Sequence, residues 1–150
     1  MVGLCYEGLP WFTGAAVLSQ GLPSFQVCTV ALLHAFSARG IMTLNDFIAL
    51  EGDCLHGVWS LPVTLRPELA ARVACTVMGL AQALVIVFLS IRGRPIHDIL
   101  VSLLLFWQIR AMGTLLSDPK GNASWYTATG IAIYVSGMMI TAFAIRSLEV

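Results

Sequence analysis

Residues 70–91 read AARVACTVMGLAQALVIVFLSI, and this stretch decides the class of fold. Arg72 is the only charged residue in it. A helix needs about 20 mostly apolar residues to cross the hydrocarbon core of a bilayer. The stretch therefore predicts a membrane-spanning helix.

The composition of the whole chain agrees with this prediction. Hydrophobic residues make up 58% of the 150 residues and charged residues 11%, whereas soluble domains carry roughly 25% charged residues. A water-soluble fold of this length would leave much apolar surface exposed. The net charge is zero and no basic cluster is present, which excludes a nucleic-acid-binding protein. We expect an all-α integral membrane helical bundle, formed as a single domain over residues 1–150.

Outside residues 70–91, four more stretches have spanning length. Pro23 interrupts the first of them, so it is either one kinked span or an interfacial helix followed by a span that begins near Ser24. The second is acidic and either crosses the bilayer or re-enters it. The bundle thus has four or five transmembrane helices, with the additional spans at about 11–36, 41–63, 98–116 and 125–145.

Basic residues predict the orientation of this multi-pass protein. Arg92 and Arg94 form a basic pair in a short loop, and Arg146 is expected on the same side. The positive-inside rule places this side in the cytoplasm. The N-terminus lacks a charged leader and carries Glu7, so we expect it to be retained. In a eukaryote, the endoplasmic reticulum or another internal membrane would hold the protein.

The acidic stretch, residues 39–59, is the candidate site. It carries Asp46, Glu51 and Asp53 together with Arg39 and His56. Each acidic residue costs about 2.5–3.5 kcal/mol at the centre of a membrane. If the stretch is one helix, Arg39, Asp46 and Asp53 share a face and His56 lies beside Asp53. The carboxylates then either line a water-containing pocket or mark a solvated loop between two spans.

Arg110 lies inside a later span, at a depth that matches Asp46 and Asp53. We predict that Arg110 keeps one carboxylate ionised while the two act as general acid and base. His56 would carry protons near neutral pH. A buried structural ion pair, or an Arg110 that reaches the membrane surface, are the alternatives. Trp59, Trp107 and Glu51 are the candidate substrate-binding residues, although both tryptophans also suit packing and interface positions.

Short length, four or five spans and isolated acids among apolar helices resemble the small multi-pass membrane proteins of fungal polyketide and meroterpenoid clusters. This resemblance implies a biosynthetic cyclase or epoxide hydrolase with intramembrane carboxylates. We therefore expect an enzyme that opens an epoxide of a lipophilic small molecule by acid–base chemistry, through hydrolysis or cyclisation. Isomerisation of such a molecule is the second expectation.

A non-catalytic scaffold, subunit or small transporter is the alternative to an enzyme. The sequence shows no redox, nucleotide or metal motif, so neither a cofactor nor a metal is expected. Membrane lipids are expected partners. Homo-oligomer formation is possible through a stripe of small residues that favours close helix packing, Ala128, Ala132 and Ser136.

Overall fold

The computed structural model describes residues 2–19 and 21–146, with side chains for residues 8–17 and 21–146. Within these residues the chain is all-helical, as predicted. The helices are α1 (Val2–Ser19), α2 (Phe25–Ile48), α3 (Leu50–His56), α4 (Leu61–Leu65), α5 (Pro67–Ile91), α6 (Pro95–Ser117) and α7 (Pro119–Arg146). Among them, α2, α5, α6 and α7 are long and apolar enough to cross a membrane. The lower of the two predicted span counts agrees with this number.

The first two predicted spans differ from the observed helices. The stretch at 11–36 is divided between α1 and α2, and the break falls at residues 21–24, which include Pro23. Ser24 caps α2, because its Oγ accepts a hydrogen bond from the Val27 N–H. Helix α2 then continues to Ile48, so residues 41–63 are not one re-entrant unit. The predicted stretches at 70–91, 98–116 and 125–145 fall within α5, α6 and α7.

Close packing joins α2 to α5 in an antiparallel pair. A Cβ placed on Gly40 would lie 2.5 Å from Met78 Cγ and 2.8 Å from the Ala74 carbonyl oxygen. Only glycine therefore allows this approach of the two helices. Helix α7 packs behind this pair and also contacts α6, whereas α1 packs mainly against α2.

A buried polar cluster joins α2 to α7. His34 Nδ1 lies 3.2 Å from the Tyr134 hydroxyl, which also contacts Ser37 Oγ. Ser37 Oγ donates a hydrogen bond to the His34 carbonyl oxygen at 2.7 Å. On the side of α1, the Trp11 ring stacks on the His34 ring at 5.5 Å. His34 is thus a core residue whose Nδ1 is hydrogen-bonded. This bond offsets part of the cost of burying a polar ring.

The two ends of the bundle differ in charge. Val27, Val30 and Ile145 form one buried cluster with Phe88 against it, so residues 92–94 and Arg146 lie at one end, as predicted. Leu44, Ala70, Leu115 and Ala123 belong to a cluster at the opposite end. This end, which we call the acidic end, carries Asp46, α3 and α4. Arg66, Arg72 and Lys120 lie near it, so the side that faces the cytoplasm stays a prediction.

Candidate functional site

Asp46 and Asp53 form a pair of carboxylates at the acidic end. Asp46 lies in the last turn of α2 and Asp53 in the short helix α3, and both are half-buried. The Asp53 carboxylate lies within electrostatic range of Asp46. No ion pair joins either of them to a basic side chain in the described part of the chain. Such a pair favours binding of a cation from outside the protein.

A break in the helix lies between Asp46 and Asp53. Ala49 has φ −92° and ψ 0° and separates α2 from α3. Gly57 then ends α3 in the left-handed conformation, with φ 66°, and the N–H groups of Gly57 and Val58 bond to the Asp53 carbonyl oxygen. The condition of one continuous helix over 39–59, on which a shared face for Asp46 and Asp53 depended, is therefore not met.

The remaining predicted residues of the acidic stretch lie at its surface. Glu51 and His56 are exposed on α3, and Trp59 is 85% exposed in the following loop. In the described structure no hydrogen bond or ion pair joins His56 to Asp53. The proton-carrier role of His56 and the substrate-binding roles of Glu51 and Trp59 stay predictions.

Arg110 and Trp107 lie on α6, away from the carboxylates. Among the described helices, α6 contacts α5 and α7 but not α2, α3 or α4. The Arg110 guanidinium lies 5.8 Å from the centre of the Phe106 ring on its own helix, and Trp107 is 60% exposed. The structure therefore does not bring Arg110 to Asp46 or Asp53. Two residues at the same depth in different spans need not contact each other. Here α6 packs against α5 and α7 rather than against α2.

An exposed stripe on α2 leads from Asp46 toward the middle of the bundle. We call it the α2 stripe, and its residues recur every three or four positions: Leu32, Phe36, Arg39, Met42 and Asp46. His34 and Ser37 point to α7, Ala35 to Gly8 of α1 and Gly40 to α5. The stripe is therefore turned away from α7 and lies between α1 and α5. The sequence had placed Arg39 and Asp46 on one face, and this part of the prediction agrees with the structure.

Two further features bear on ligand binding. Among the described residues, no group of three or more histidine, cysteine or acidic side chains is arranged to hold a metal ion. A shallow groove of about 340 Å³ lies on α6 at the end opposite the carboxylates, lined by Asp98, Ile99, Ser102, Leu103 and Phe106. None of the predicted site residues lines it.

Comparisons with known proteins give a consistent group of relatives. The chain is 65% identical over its full length to the bacteriochlorophyll synthase 33 kDa chain of Cereibacter sphaeroides, of which it covers 50%. It is 37% identical to the bacteriochlorophyll synthase 34 kDa chain of Chloroflexus aurantiacus, over 98% of this chain and 47% of the relative. It is 31% identical to the chloroplastic chlorophyll synthase of Oryza sativa, over 95% of this chain and 38% of the relative. No family model and no solved structure matches the chain.

These relatives correct the predicted function. They are named synthases of chlorophylls, so the resemblance to fungal epoxide hydrolases and cyclases was wrong. Epoxide opening and the hydrolase, cyclase and isomerase classes are wrong with it. The expectation of an enzyme agrees with the relatives in its coarse form. The prediction of a multi-pass membrane protein is also supported. The predicted location in the endoplasmic reticulum is not supported, because the relatives come from bacteria and chloroplasts. The chain spans about half the length of the curated relatives it matches, and over that half its full length is similar to a bacteriochlorophyll synthase chain.

Proposed function

We propose that this chain is part of a membrane-bound synthase that joins a prenyl group to the carboxyl group of a chlorophyllide. The observation that carries the proposal is the similarity of the whole chain to synthases from two groups of bacteria and from plants. The prenyl donor would be a prenyl diphosphate. A carboxylate oxygen of the chlorophyllide forms a bond to C1 of the prenyl group, and the bond from C1 to the diphosphate oxygen breaks. The diphosphate leaves with the electron pair.

Asp46 and Asp53 fit the diphosphate end of this reaction. Mg²⁺ in phosphate-binding sites is typically held by one or two carboxylates together with oxygens of the substrate. Two neighbouring carboxylates match this donor set, since no third histidine, cysteine or acidic side chain is arranged to hold a metal with them among the described residues. When bound, the metal ion would neutralise the charge on the leaving diphosphate. This proposal departs from the expectation that no metal takes part.

The surroundings of the carboxylates suit an amphiphilic donor. The pair lies at one end of the bundle, where a charged diphosphate remains close to water. Met42, Phe36 and Leu32 extend from Asp46 along the α2 stripe toward the middle of the helix. An isoprenoid chain that lies along these side chains would be shielded from water, at roughly 25 cal/mol per Å² of apolar area. The polar and apolar ends of the donor therefore each have a matching surface.

A chimera tests the proposal, because the relatives are twice as long as this chain. In the Cereibacter sphaeroides protein, the matching half is replaced by this chain, and membranes are supplied with chlorophyllide, geranylgeranyl diphosphate and Mg²⁺. We expect ester formation, measured by chromatography of the pigment. Asp46→Asn and Asp53→Asn should each lower the rate at least 100-fold, whereas the matched change Asp98→Asn at the opposite end should leave it within twofold. A chimera that folds but forms no ester contradicts the proposal.

A further inference from the structure

Arg39 is an ionisable residue in the middle of a membrane-spanning helix. It precedes Ile48, the last residue of α2, by nine residues, or about 13 Å along the axis. Its side chain is exposed, and no ion pair joins it to any described side chain. An arginine side chain is shorter than this distance, so its guanidinium does not reach the end of α2 even if it extends toward the acidic end.

The face that carries Arg39 is otherwise apolar. Phe36 is 51% exposed and Met42 40% exposed beside it on the α2 stripe. An arginine in hydrocarbon costs about 2.5–3.5 kcal/mol on insertion scales, and such residues usually face a protein interior or a water-filled cavity. We therefore expect the α2 stripe to face another part of the protein or a bound molecule rather than lipid. An anion on that neighbour would pair with Arg39.

The position of Arg39 relative to Asp46 indicates which anion this is. The two residues are seven positions apart on one face, about 10 Å along the axis. The diphosphate of the donor has its place at the acidic end, beside Asp46 and Asp53. The second anion of the reaction is the carboxylate of the pigment, which is attached to a large apolar ring and can enter the bilayer. Guanidinium groups bind carboxylates through two parallel hydrogen bonds, which fix orientation as well as position.

We propose that Arg39 binds the free carboxylate of the chlorophyllide and aims it at C1 of the prenyl donor. The inference rests on the proposed function and adds the residue that recognises the acceptor. Arg39 transfers no proton: it holds the carboxylate in its ionised form until the carboxylate oxygen bonds to C1 and the diphosphate departs. Discrimination between a free acid and an ester of the same pigment follows from this role.

The test compares two pigments that differ only in that group. Binding of chlorophyllide and of its methyl ester to the purified chimera is measured by the change in pigment absorption. We expect tighter binding of the free acid. Arg39→Gln should weaken binding of the acid about 10- to 100-fold, the loss expected for hydrogen bonds to a charged group, and leave binding of the ester unchanged. Arg39→Lys should retain part of the preference, and Arg146→Gln, a matched change in the last turn of α7, all of it.

Steady-state kinetics supply the second readout. In ester formation, Arg39→Gln should raise the KM for chlorophyllide and leave the KM for the prenyl diphosphate unchanged. Equal loss of affinity for the acid and the ester would overturn the inference, because it indicates altered packing. Equal affinity of the unsubstituted protein for both pigments would also overturn it, and ester formation by the chimera would then still uphold the proposed function. A chimera that binds neither pigment and forms no ester overturns both the role of Arg39 and the proposed function.

Discussion

Gly40 shows how a single residue sets the distance between two helices. A Cβ at this position would collide with the Ala74 backbone oxygen at 2.8 Å, and a backbone atom of a packed helix cannot move aside cheaply. We expect Gly40→Ala to lower the free energy of unfolding by about 1–2 kcal/mol, because the overpacking cost exceeds the gain in helix propensity. Thermal unfolding in detergent measures the change.

Gly113→Ala is the matched control for Gly40→Ala. Gly113 also lies inside a membrane-spanning helix, and a Cβ there meets no atom within 4 Å. Its stability should be unchanged or slightly raised. Equal effects of the two substitutions would show that α2 and α5 do not approach at Gly40 as described.

Tyr134 provides a second prediction at this scale. Its hydroxyl lies between His34 Nδ1 and Ser37 Oγ, all of them buried. Tyr134→Phe leaves both groups without this partner in an apolar interior, and we expect a loss of about 1–2 kcal/mol. Ser136→Ala removes an exposed hydroxyl from the same helix, where the bond is to the Ala132 carbonyl oxygen, and should cost much less. A loss as large for Ser136→Ala would contradict the assignment.

At the scale of elements, the helices followed from hydropathy and proline positions, and their interruptions were harder to predict. A proline stands at the start of each of three long helices, at Pro67, Pro95 and Pro119. The N–H group that proline lacks would have no partner within the helix at this position, so no hydrogen bond is lost. Only Asp118 separates α6 from α7. Neither proline nor glycine stands at the break at Ala49, so the local sequence does not predict that a helix ends there.

The connection between α4 and α5 carries a strained residue. Arg66 has φ 68° and ψ 145°, a conformation that glycine adopts readily and other residues seldom do. Arg66→Gly should therefore raise the free energy of unfolding by about 1 kcal/mol, whereas Arg66→Ala keeps the strain and should not. Chemical or thermal unfolding of the two variants distinguishes them. The same stability for both would indicate that residue 66 is not held in this conformation.

At the scale of the whole molecule, depth was predictable and lateral neighbours were not. Hydropathy places Arg110 and Asp53 at similar depths, but α6 packs against α5 and α7 and so never reaches α2. Asp46 and Asp53 lie at the same end of the bundle, because they are close in sequence and both lie near one end of a span. The chemistry was missed, since two carboxylates serve acid–base catalysis and cation binding equally well. Cation binding is our proposal, and the similarity to longer synthases supports it.

We propose that Asp46 and Asp53 hold the diphosphate of a prenyl donor through a divalent cation. Equilibrium binding of geranylgeranyl diphosphate to the purified chimera, with Mg²⁺ or with a chelator, tests this role most directly. We expect binding that requires Mg²⁺ and that is lost in both Asp46→Asn and Asp53→Asn but kept in Asp98→Asn. Binding that is independent of Mg²⁺, or that survives both aspartate substitutions at the acidic end, would contradict it.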